Sequence, residues 1–307
     1  MRYYAPVEID WCIMKMVMKM TAWTTSKTNE AVTTTDKEKG SFALGREAYL
    51  AKRKAAQDRN KNFLCVGIWG EAKSAKSGVA ADILTEEDIA NDMHVFVWDY
   101  DNRFIDVKRN HYANIENLVV FNPIERHPDS LVDIEATKHN AQMHYEEAMS
   151  YLKDGKLKAV IVDGADKFLT DVCETYMRVK HNLDADTVIK QMPFVWGDRN
   201  TPYKNFLHKK ILEMDCHRIV IAHSKEKYVD ANPVGVIANW HDSTEDIFTS
   251  TIRMERKIKK NGPTTYVALI EASASRPELI GTRHTVLTIE NGKVDWTGLP
   301  FLKEGEL

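Results

Sequence analysis

The stretch GEAKSAKS at residues 70–77, with a glycine directly after it, decides the fold. It matches the phosphate-loop pattern G-x-x-x-x-G-K-[S/T] at every defined position except one, where Ala75 replaces the second glycine. A turn of this kind points backbone N–H groups at phosphate oxygens, and the helix after it adds its positive N-terminal dipole. The pattern therefore predicts a nucleotide-binding loop formed by Gly70, Glu71, Ala72, Lys73, Ser74, Ala75, Lys76, Ser77 and Gly78.

The loop assigns roles to its last residues and to a second motif further along the chain. Lys76 is expected to reach the β- and γ-phosphates, and the Ser77 hydroxyl is expected to ligate Mg²⁺. The apolar run KAVIVD at residues 158–163 has the Walker B pattern, so Asp163 is expected to hold Mg²⁺ directly or through water. The spacing fits a sheet in which the two strands lie side by side. ATP and Mg²⁺ are the predicted cofactors.

Ala75 is the one departure from the loop pattern. If this position needs a positive φ, an L-residue there costs roughly 1 kcal/mol. The substitution weakens the case for fast turnover more than the case for nucleotide binding.

Several carboxylates and one histidine are candidates for the remaining catalytic work. ATP hydrolysis needs a carboxylate that activates water near the γ-phosphate. Asp99 and Asp101, at the end of the second strand in VFVWDYD, are candidates for this role, and Glu71 and Asp166 are further candidates. Each could equally be a loop-capping or solvated acid. His223, at the end of the strand RIVIA, could hydrogen-bond the γ-phosphate, or could simply bond to backbone.

Apolar strands alternate with helical segments around these motifs. Such alternation is typical of a parallel sheet buried on both faces. After residue 250 strand follows strand, which indicates an antiparallel extension at one edge. The predicted organisation is a Met-rich segment and Thr/Ser-rich linker at 1–40, a basic helix at 41–61, an α/β core at 62–290 and a C-terminal tail at 291–307.

Composition excludes several classes of protein. The 307 residues carry a formal net charge of −3 and are 43% hydrophobic, which disfavours collagen-like, disordered, polytopic membrane and uniformly basic chains. Four scattered cysteines without a CxxC pair fit a reducing compartment, so a cytoplasmic location is expected. No stretch reaches the ~20 apolar residues of a membrane span. From the sequence, residues 11–20 are expected to form a short packing helix, with a membrane-surface anchor as the alternative.

The order of the motifs resembles that of the RecA/RadA-type ATPases. It is most similar to the compact phage and archaeal-virus branch of RecA-like, AAA-domain nucleotide-binding proteins, some of which act with single-strand annealing. The resemblance covers residues 62–290 and includes Trp196-Gly197 and His223-Ser224-Lys225. It implies a RecA-like core, binding and hydrolysis of ATP with Mg²⁺, and self-assembly into rings or filaments. It also implies a role in viral or mobile-element DNA recombination, annealing or replication, in the host cytoplasm.

The resemblance further implies a cation that reaches the γ-phosphate from a neighbouring subunit. Its candidates are Arg253, Arg256, Lys257 and Arg276. The alternative for the stretch RMERKIKK at 253–260 is the solvated face of an edge strand, where cations prevent edge pairing.

Single-stranded DNA is the predicted macromolecular partner. Two basic stretches, 46–61 and 253–260, supply local positive charge. Residues 225–240 are expected to form a mobile, DNA-contacting loop. Four aromatic residues are candidates for stacking on bases: Tyr49, Trp196, Tyr203 and Trp240.

Two other functions compete with a recombination-type ATPase. A DNA packaging or translocation motor would share the nucleotide site, but no acidic nuclease cluster is evident in the sequence. A nucleotide-dependent, non-catalytic scaffold is suggested by Ala75. A nucleotide kinase is disfavoured because no Arg-rich lid follows the strand that ends at Asp163.

Overall fold

A computed structural model describes residues 45–46, 48–51, 54 and 63–305, apart from 129–130, 185–186, 189–192, 231 and 261. The chain divides into two compact units, Met1–Ala56 and Gln57–Leu307. The described residues of the first unit are helical. The predictions for residues 1–40, and for most of 41–61, lie outside the described residues.

Ten strands of the second unit form one sheet within the described residues, and two short strands pair separately. In chain order they are β1 (Cys65–Gly70), β2 (His94–Asp99), β3 (Leu118–Phe121), β4 (Glu125–Arg126), β5 (Val132–Asp133), β6 (Leu157–Asp163), β7 (His217–Val229), β8 (Asn232–Ala238), β9 (Ser250–Ile258), β10 (Thr264–Ser273), β11 (Arg283–Glu290) and β12 (Lys293–Trp296).

The strand order in the large sheet is β12-β11-β10-β9-β1-β7-β6-β2-β3, with β8 paired to β7. The six strands from β9 to β3 run parallel. The strands β10, β11 and β12 add antiparallel pairs beyond β9. This arrangement confirms the predicted α/β fold class, with a mainly parallel central sheet flanked by helices and an antiparallel C-terminal extension.

Helices cover both faces of the sheet. They are α1 (Lys76–Ala81), α2 (Glu86–Ala90), α3 (Phe104–His111), α4 (Ile134–Lys153), α5 (Ala165–Lys167), α6 (Glu174–Lys180), α7 (Trp196–Tyr203) and α8 (Pro300–Lys303), with π-helices at Phe168–Cys173 and Lys204–Ile211 and 3₁₀ turns at Pro193–Val195, Asp242–Ile247 and Pro277–Leu279. None of the helices in the described part of the chain is long and apolar enough to cross a membrane.

Strand β1 shows why the sequence favours a sheet covered on both faces. All six of its residues are buried. Because side chains alternate along a strand, Cys65 and Trp69 pack into one hydrophobic cluster while Val66 and Ile68 pack into the other. A strand buried on both sides reads as a continuous apolar run rather than as an alternating one.

The sequence of residues 78–89 predicts one helix, whereas the structure has two helices in this region, α1 and α2. The Thr85 hydroxyl accepts a hydrogen bond from the Asp88 backbone N–H at 3.1 Å, and the Asp88 carboxylate accepts one from the Thr85 backbone N–H at 3.0 Å. This reciprocal capping box starts a new helix. The helical pattern of the sequence ran through the break because apolar spacing alone does not show where a helix begins.

Three long-range expectations need correction. Strand β7 lies between β1 and β6, so the phosphate-loop and Walker B strands are not side by side. Residues 225–240, predicted as a loop, are mostly a β-hairpin in which β7 continues and pairs antiparallel with β8. The predicted tail belongs to the core, because β12 pairs with β11, the Trp296 indole donates to Asp82 at 2.9 Å, and Leu302 is fully buried.

The buried His144 side chain makes the fold sensitive to acid. It lies 4.6 Å from the Trp98 ring and 5.1 Å from the Phe96 ring, centroid to centroid, and its Nε2 has no hydrogen-bond partner among the described residues. Burial lowers the pKa of His144 to about 4. The folded state therefore resists protonation of this ring.

We expect the free energy of unfolding to fall as the pH drops from 6.5 towards 4. A histidine whose pKa is depressed on folding stabilises the protein fully above its unfolded pKa, and that contribution is lost as the pH falls towards the folded value. A shift from 6.5 to about 4 corresponds to a loss of about 3 kcal/mol. Urea titrations across this pH range, on wild type and His144→Phe, measure the loss. An equally steep pH dependence in His144→Phe would contradict the assignment.

Candidate phosphate-binding site

The loop after β1 folds into a tight turn at the carboxyl end of the sheet. Lys73 and Ala75 both adopt left-handed backbone conformations, with φ of 60° and 66°. The Ser74 hydroxyl donates to the Glu71 carbonyl at 2.7 Å, which holds the turn closed. Gly70 is required by space, because a Cβ there would lie 2.3 Å from the Met254 carbonyl oxygen on the neighbouring strand β9.

Lys76 opens α1 and is only 6% exposed. Its Nζ donates to the carbonyl oxygens of Gly70 at 3.1 Å and Glu71 at 2.7 Å, so the ammonium lies across the mouth of the turn. Burial lowers the pKa of Lys76, while the negative charges of nearby carboxylates, Asp163 first, oppose the shift. A buried ammonium next to inward-facing loop N–H groups is suited to binding an anion.

Ser77, in α1 after β1, contacts Asp163 at the end of β6, although β7 lies between β1 and β6. The Ser77 hydroxyl donates to Asp163 Oδ2 at 2.6 Å, and Asp163 is 3% exposed. Burial, together with the negative charges of Asp99 and Asp101, raises the pKa of Asp163 to about 7, although Ser77 and Lys76 act in the opposite direction.

A hydroxyl and a carboxylate in contact fit the usual Mg²⁺ site of phosphate-transfer proteins. Mg²⁺ takes one or two protein oxygens, several waters and substrate phosphates rather than a cage of protein ligands. Within the described residues no group of three or more His, Cys, Asp or Glu side chains is placed to hold a metal ion. Ser77 and Asp163 would therefore hold the ion together with the phosphates of a bound nucleotide.

Asp99 and Asp101 lie in different surroundings. The buried Asp99 carboxylate accepts hydrogen bonds from the backbone N–H groups of Arg103 and Ile105, both at 3.1 Å, so it caps α3. Asp101 lines the cleft beside the loop. Gly164, at φ 82°, allows β6 to end against the backbone of Asp101, where a Cβ would lie 2.8 Å from the Asp101 nitrogen. Of the two acids, Asp101 is the one placed to meet a bound phosphate.

His223, in the middle of β7, links two carboxylates. Its Nδ1 lies 3.1 Å from Asp166 Oδ2, and its Nε2 lies 3.7 Å from Asp101 Oδ2. Asp166 also accepts the His223 backbone N–H at 3.1 Å. Burial favours the neutral acid, but the hydrogen bonds and charge of His223 outweigh it and lower the pKa of Asp166. Asp166 thus orients the imidazole, with Nε2 towards Asp101.

Lys76, Ser77, Asp101, Asp163 and His223 line a cleft of about 180 Å³. Gly70, Glu71, Asp99 and Asp166 are not among its lining residues. Arg103, which the sequence interpretation missed, also lines the cleft. Its Nε lies 3.4 Å from Asp101 Oδ2. Its position two residues after Asp101, at the carboxyl end of β2, was the available signal. The lining consists of Ala72, Lys73, Ser74, Ala75, Lys76, Ser77, Gly78, Asp101, Arg103, Val107, Asp163 and His223.

The four cations proposed to act on a neighbouring subunit do not line this cleft. Arg253 lies over the Trp69 ring, 5.2 Å from its centroid, and 3.7 Å from Glu255. Lys257 lies 3.9 Å from Glu255, Arg276 pairs with Glu278, and Arg256 is exposed. Their action on another subunit stays a prediction.

Two of the four aromatic residues proposed to stack on bases are unavailable. Tyr203 and Trp240 are buried in the core, at 0% and 2% exposure, so the prediction is wrong for them. Trp196 is half-buried, with the Arg199 guanidinium 4.3 Å above its ring. Tyr49 lies in the described helical stretch of the first unit.

The backbone at Ala75 yields a test of the loop. Its φ of 66° places an L-residue in the left-handed region, which costs roughly 1–2 kcal/mol, and glycine relieves that strain. Ala75→Gly is therefore expected to be more stable than Ala72→Gly by about 1–2 kcal/mol, since both variants gain the same unfolded-state entropy. Chemical denaturation measures the difference. Equal stabilities would show that the loop does not hold Ala75 in this conformation.

The chain is similar to known proteins in structure rather than in sequence. No known protein family and no curated protein matches the chain by sequence. Among solved structures, the chain is similar to a KaiC-like protein from the hyperthermophilic archaeon Pyrococcus horikoshii OT3, at 13% sequence identity and a TM-score of 0.43. The match covers 76% of this chain and 89% of that one. The fold assignment rests on the strand order and loop of this chain.

Proposed function

We propose that the protein is a Mg²⁺-dependent P-loop ATPase. The observation that carries the proposal is the contact between the Ser77 hydroxyl and the Asp163 carboxylate at 2.6 Å, next to the buried Lys76 ammonium. These three groups come from the loop, α1 and the end of β6, and they combine anion-binding and metal-binding chemistry in one cleft.

Each group of the cleft has a part in phosphoryl transfer. The loop N–H groups and Lys76 bind phosphate oxygens and neutralise their charge. Bound Mg²⁺, held by Ser77 and Asp163, would supply further neutralisation. Arg103 adds a cation from the same chain. Since the transition state spreads charge over the transferred phosphoryl group, these positive groups provide most of the catalysis.

Asp101 and His223 are the groups that would act on the attacking water. Asp101 is placed in the cleft to accept a proton from water or to orient it. His223, fixed by Asp166, presents Nε2 at 3.7 Å from Asp101 and can hydrogen-bond either the carboxylate or a phosphate oxygen. Asp99 supports the same loop by capping α3.

We further propose that the ATPase assembles on single-stranded DNA in viral or mobile-element recombination, annealing or replication. The sequence resemblance supports this role, as does the cationic stretch at 253–260. The hairpin of β7 and β8 offers exposed residues, including Tyr228 at 57% exposure, that could contact a strand of DNA. Self-association into a ring or filament, with a cation from a neighbouring copy reaching the phosphate, belongs to the same proposal.

A non-catalytic, nucleotide-dependent scaffold is the second candidate. The strained Ala75 backbone favours it, because the loop places a methyl group where the phosphate-loop pattern has none. Such a protein would bind ATP and release no phosphate.

Phosphate release, measured without DNA, with single-stranded DNA and with double-stranded DNA, tests these proposals together. The ATPase proposal predicts Mg²⁺-dependent release, and the DNA role predicts that single strands increase it most. Greater stimulation by double strands would instead favour a motor. Binding of ATP without any phosphate release would overturn the enzymatic proposal and favour the scaffold.

A further inference from the structure

A second cavity lies on the opposite face of the sheet from α1 and α3. Its volume is about 450 Å³, within the size range of small-molecule pockets. Helix α4 forms one wall, and the two π-helices form the others. Its inner surface is largely apolar, with Ile134, Ala141, Phe168, Val172 and Phe206.

One residue of the cavity lining carries an unsatisfied polar group. Tyr100 lines the cavity and is 3% exposed, and its hydroxyl has no hydrogen-bond partner among the described residues. The nearest ring contact is Phe168, with 4.7 Å between centroids. A buried hydroxyl without a partner is unfavourable, and such groups are rare in folded proteins. A ligand that carries an acceptor would remove that penalty.

The outer part of the cavity carries one cation without an acidic partner. The Lys210 ammonium donates to the neutral Gln142 amide oxygen at 2.5 Å and lies 5.4 Å from the Tyr145 ring centroid. No carboxylate within the described parts of the chain forms an ion pair with it. The other lining lysine, Lys138, is neutralised by Glu135 at 2.9 Å. The wall therefore favours a single negative charge.

We propose that this cavity binds a small amphipathic molecule with an apolar body, a hydrogen-bond acceptor at one end and one negative charge at the other. The acceptor meets the Tyr100 hydroxyl, the body fills the space between α4 and the π-helices, and the charge meets Lys210. The proposal does not depend on nucleotide binding, since every group it uses lies outside the phosphate cleft.

The test is a calorimetric titration of the full chain, without nucleotide, with 6-methoxy-2-naphthylacetate. This probe has an aromatic body, an ether oxygen at one end and a carboxylate at the other. 2-Naphthylacetate, which lacks only the methoxy group, is the matched control. We expect one saturable site that prefers the methoxy compound by about 3- to 10-fold, the range of one neutral hydrogen bond.

Three variants locate the site. Tyr100→Phe should erase the preference between the two probes, Lys210→Gln should weaken both equally, and Val172→Trp should fill the cavity and remove binding. Circular dichroism checks that each variant folds. If Val172→Trp fails to fold, the other two variants still decide the outcome. The absence of saturable binding, or an unchanged probe preference in Tyr100→Phe, would overturn the proposal.

Discussion

Replacing Lys76 with alanine is expected to remove ATP binding and turnover. Among the described residues that line the cleft, Lys76 is the one buried cation. Charge-assisted hydrogen bonds to phosphate are among the strongest in proteins. Loss of such a group is expected to weaken the affinity for ATP by roughly 10- to 100-fold. Because the same charge stabilises the transition state, turnover should fall by roughly 100- to 1,000-fold. Calorimetry with Mg²⁺ and ATP measures the first effect, and phosphate release measures the second.

A matched control separates this effect from a general loss of positive charge. The Lys156 side chain is half-exposed and forms an ion pair with Asp92 at 2.5 Å. Lys156 directly precedes β6, so it lies at the amino end of the parallel strands. Lys156→Ala removes one ammonium from the edge of the sheet opposite the cleft. It should bind and hydrolyse ATP like the wild type. Equal loss in both variants would show that the site lies elsewhere.

Removing the metal-binding pair is the second large effect that we expect. Asp163→Asn and Ser77→Ala should each reduce Mg²⁺-dependent phosphate release by about 100-fold or more, because each removes one oxygen of a shared site. Since the two groups act on one ion, the double variant should be little worse than either single variant. Phosphate release measured against Mg²⁺ concentration, for all four proteins, gives this cycle.

Asp163→Asn should leave the fold intact. Burial raises the pKa of the Asp163 carboxyl to about 7, so an uncharged amide of the same shape suits its surroundings. Chemical denaturation should show similar stability for this variant and the wild type. Multiplicative losses in the double variant, with unchanged stability, would contradict a shared metal site.

Short-range patterns predicted most of the sheet and part of the site. The apolar runs CVGIW at residues 65–69 and AVIV at residues 159–162 are buried strands because a parallel sheet excludes water from both faces. The loop and the strand ending at Asp163 were recognisable from residue type and spacing alone. The Ser77 hydroxyl and the Asp163 carboxylate are in contact at 2.6 Å, whereas the roles of both residues in catalysis stay predictions.

Long-range pairing was beyond the reach of sequence patterns. The apolar periodicity of β7 is the same whether it lies beside β6 alone or between β1 and β6. That insertion has a consequence for the site, because it places His223 in register with Gly70. The C-terminal strand β12 was equally hard to assign, because its residues are exposed and it pairs only at the sheet edge.

Side-chain surroundings also needed the structure. Asp99 and Asp101 are two residues apart in the sequence, yet one caps a helix and the other lines the cleft. Tyr203 and Trp240 resemble surface aromatics in the sequence because polar residues flank them, but both are buried. Arg103 was missed because its position after β2 was its one signal, and position alone does not distinguish a cleft residue from a solvated one.

We propose that the cleft lined by residues 72–78 and Asp163 hydrolyses ATP. Phosphate release by purified wild type, Lys76→Ala and Lys156→Ala, with Mg²⁺ and with EDTA, tests it most directly. We predict Mg²⁺-dependent release by the wild type and by Lys156→Ala, and none above background by Lys76→Ala or in EDTA. Undiminished release by Lys76→Ala would contradict the claim.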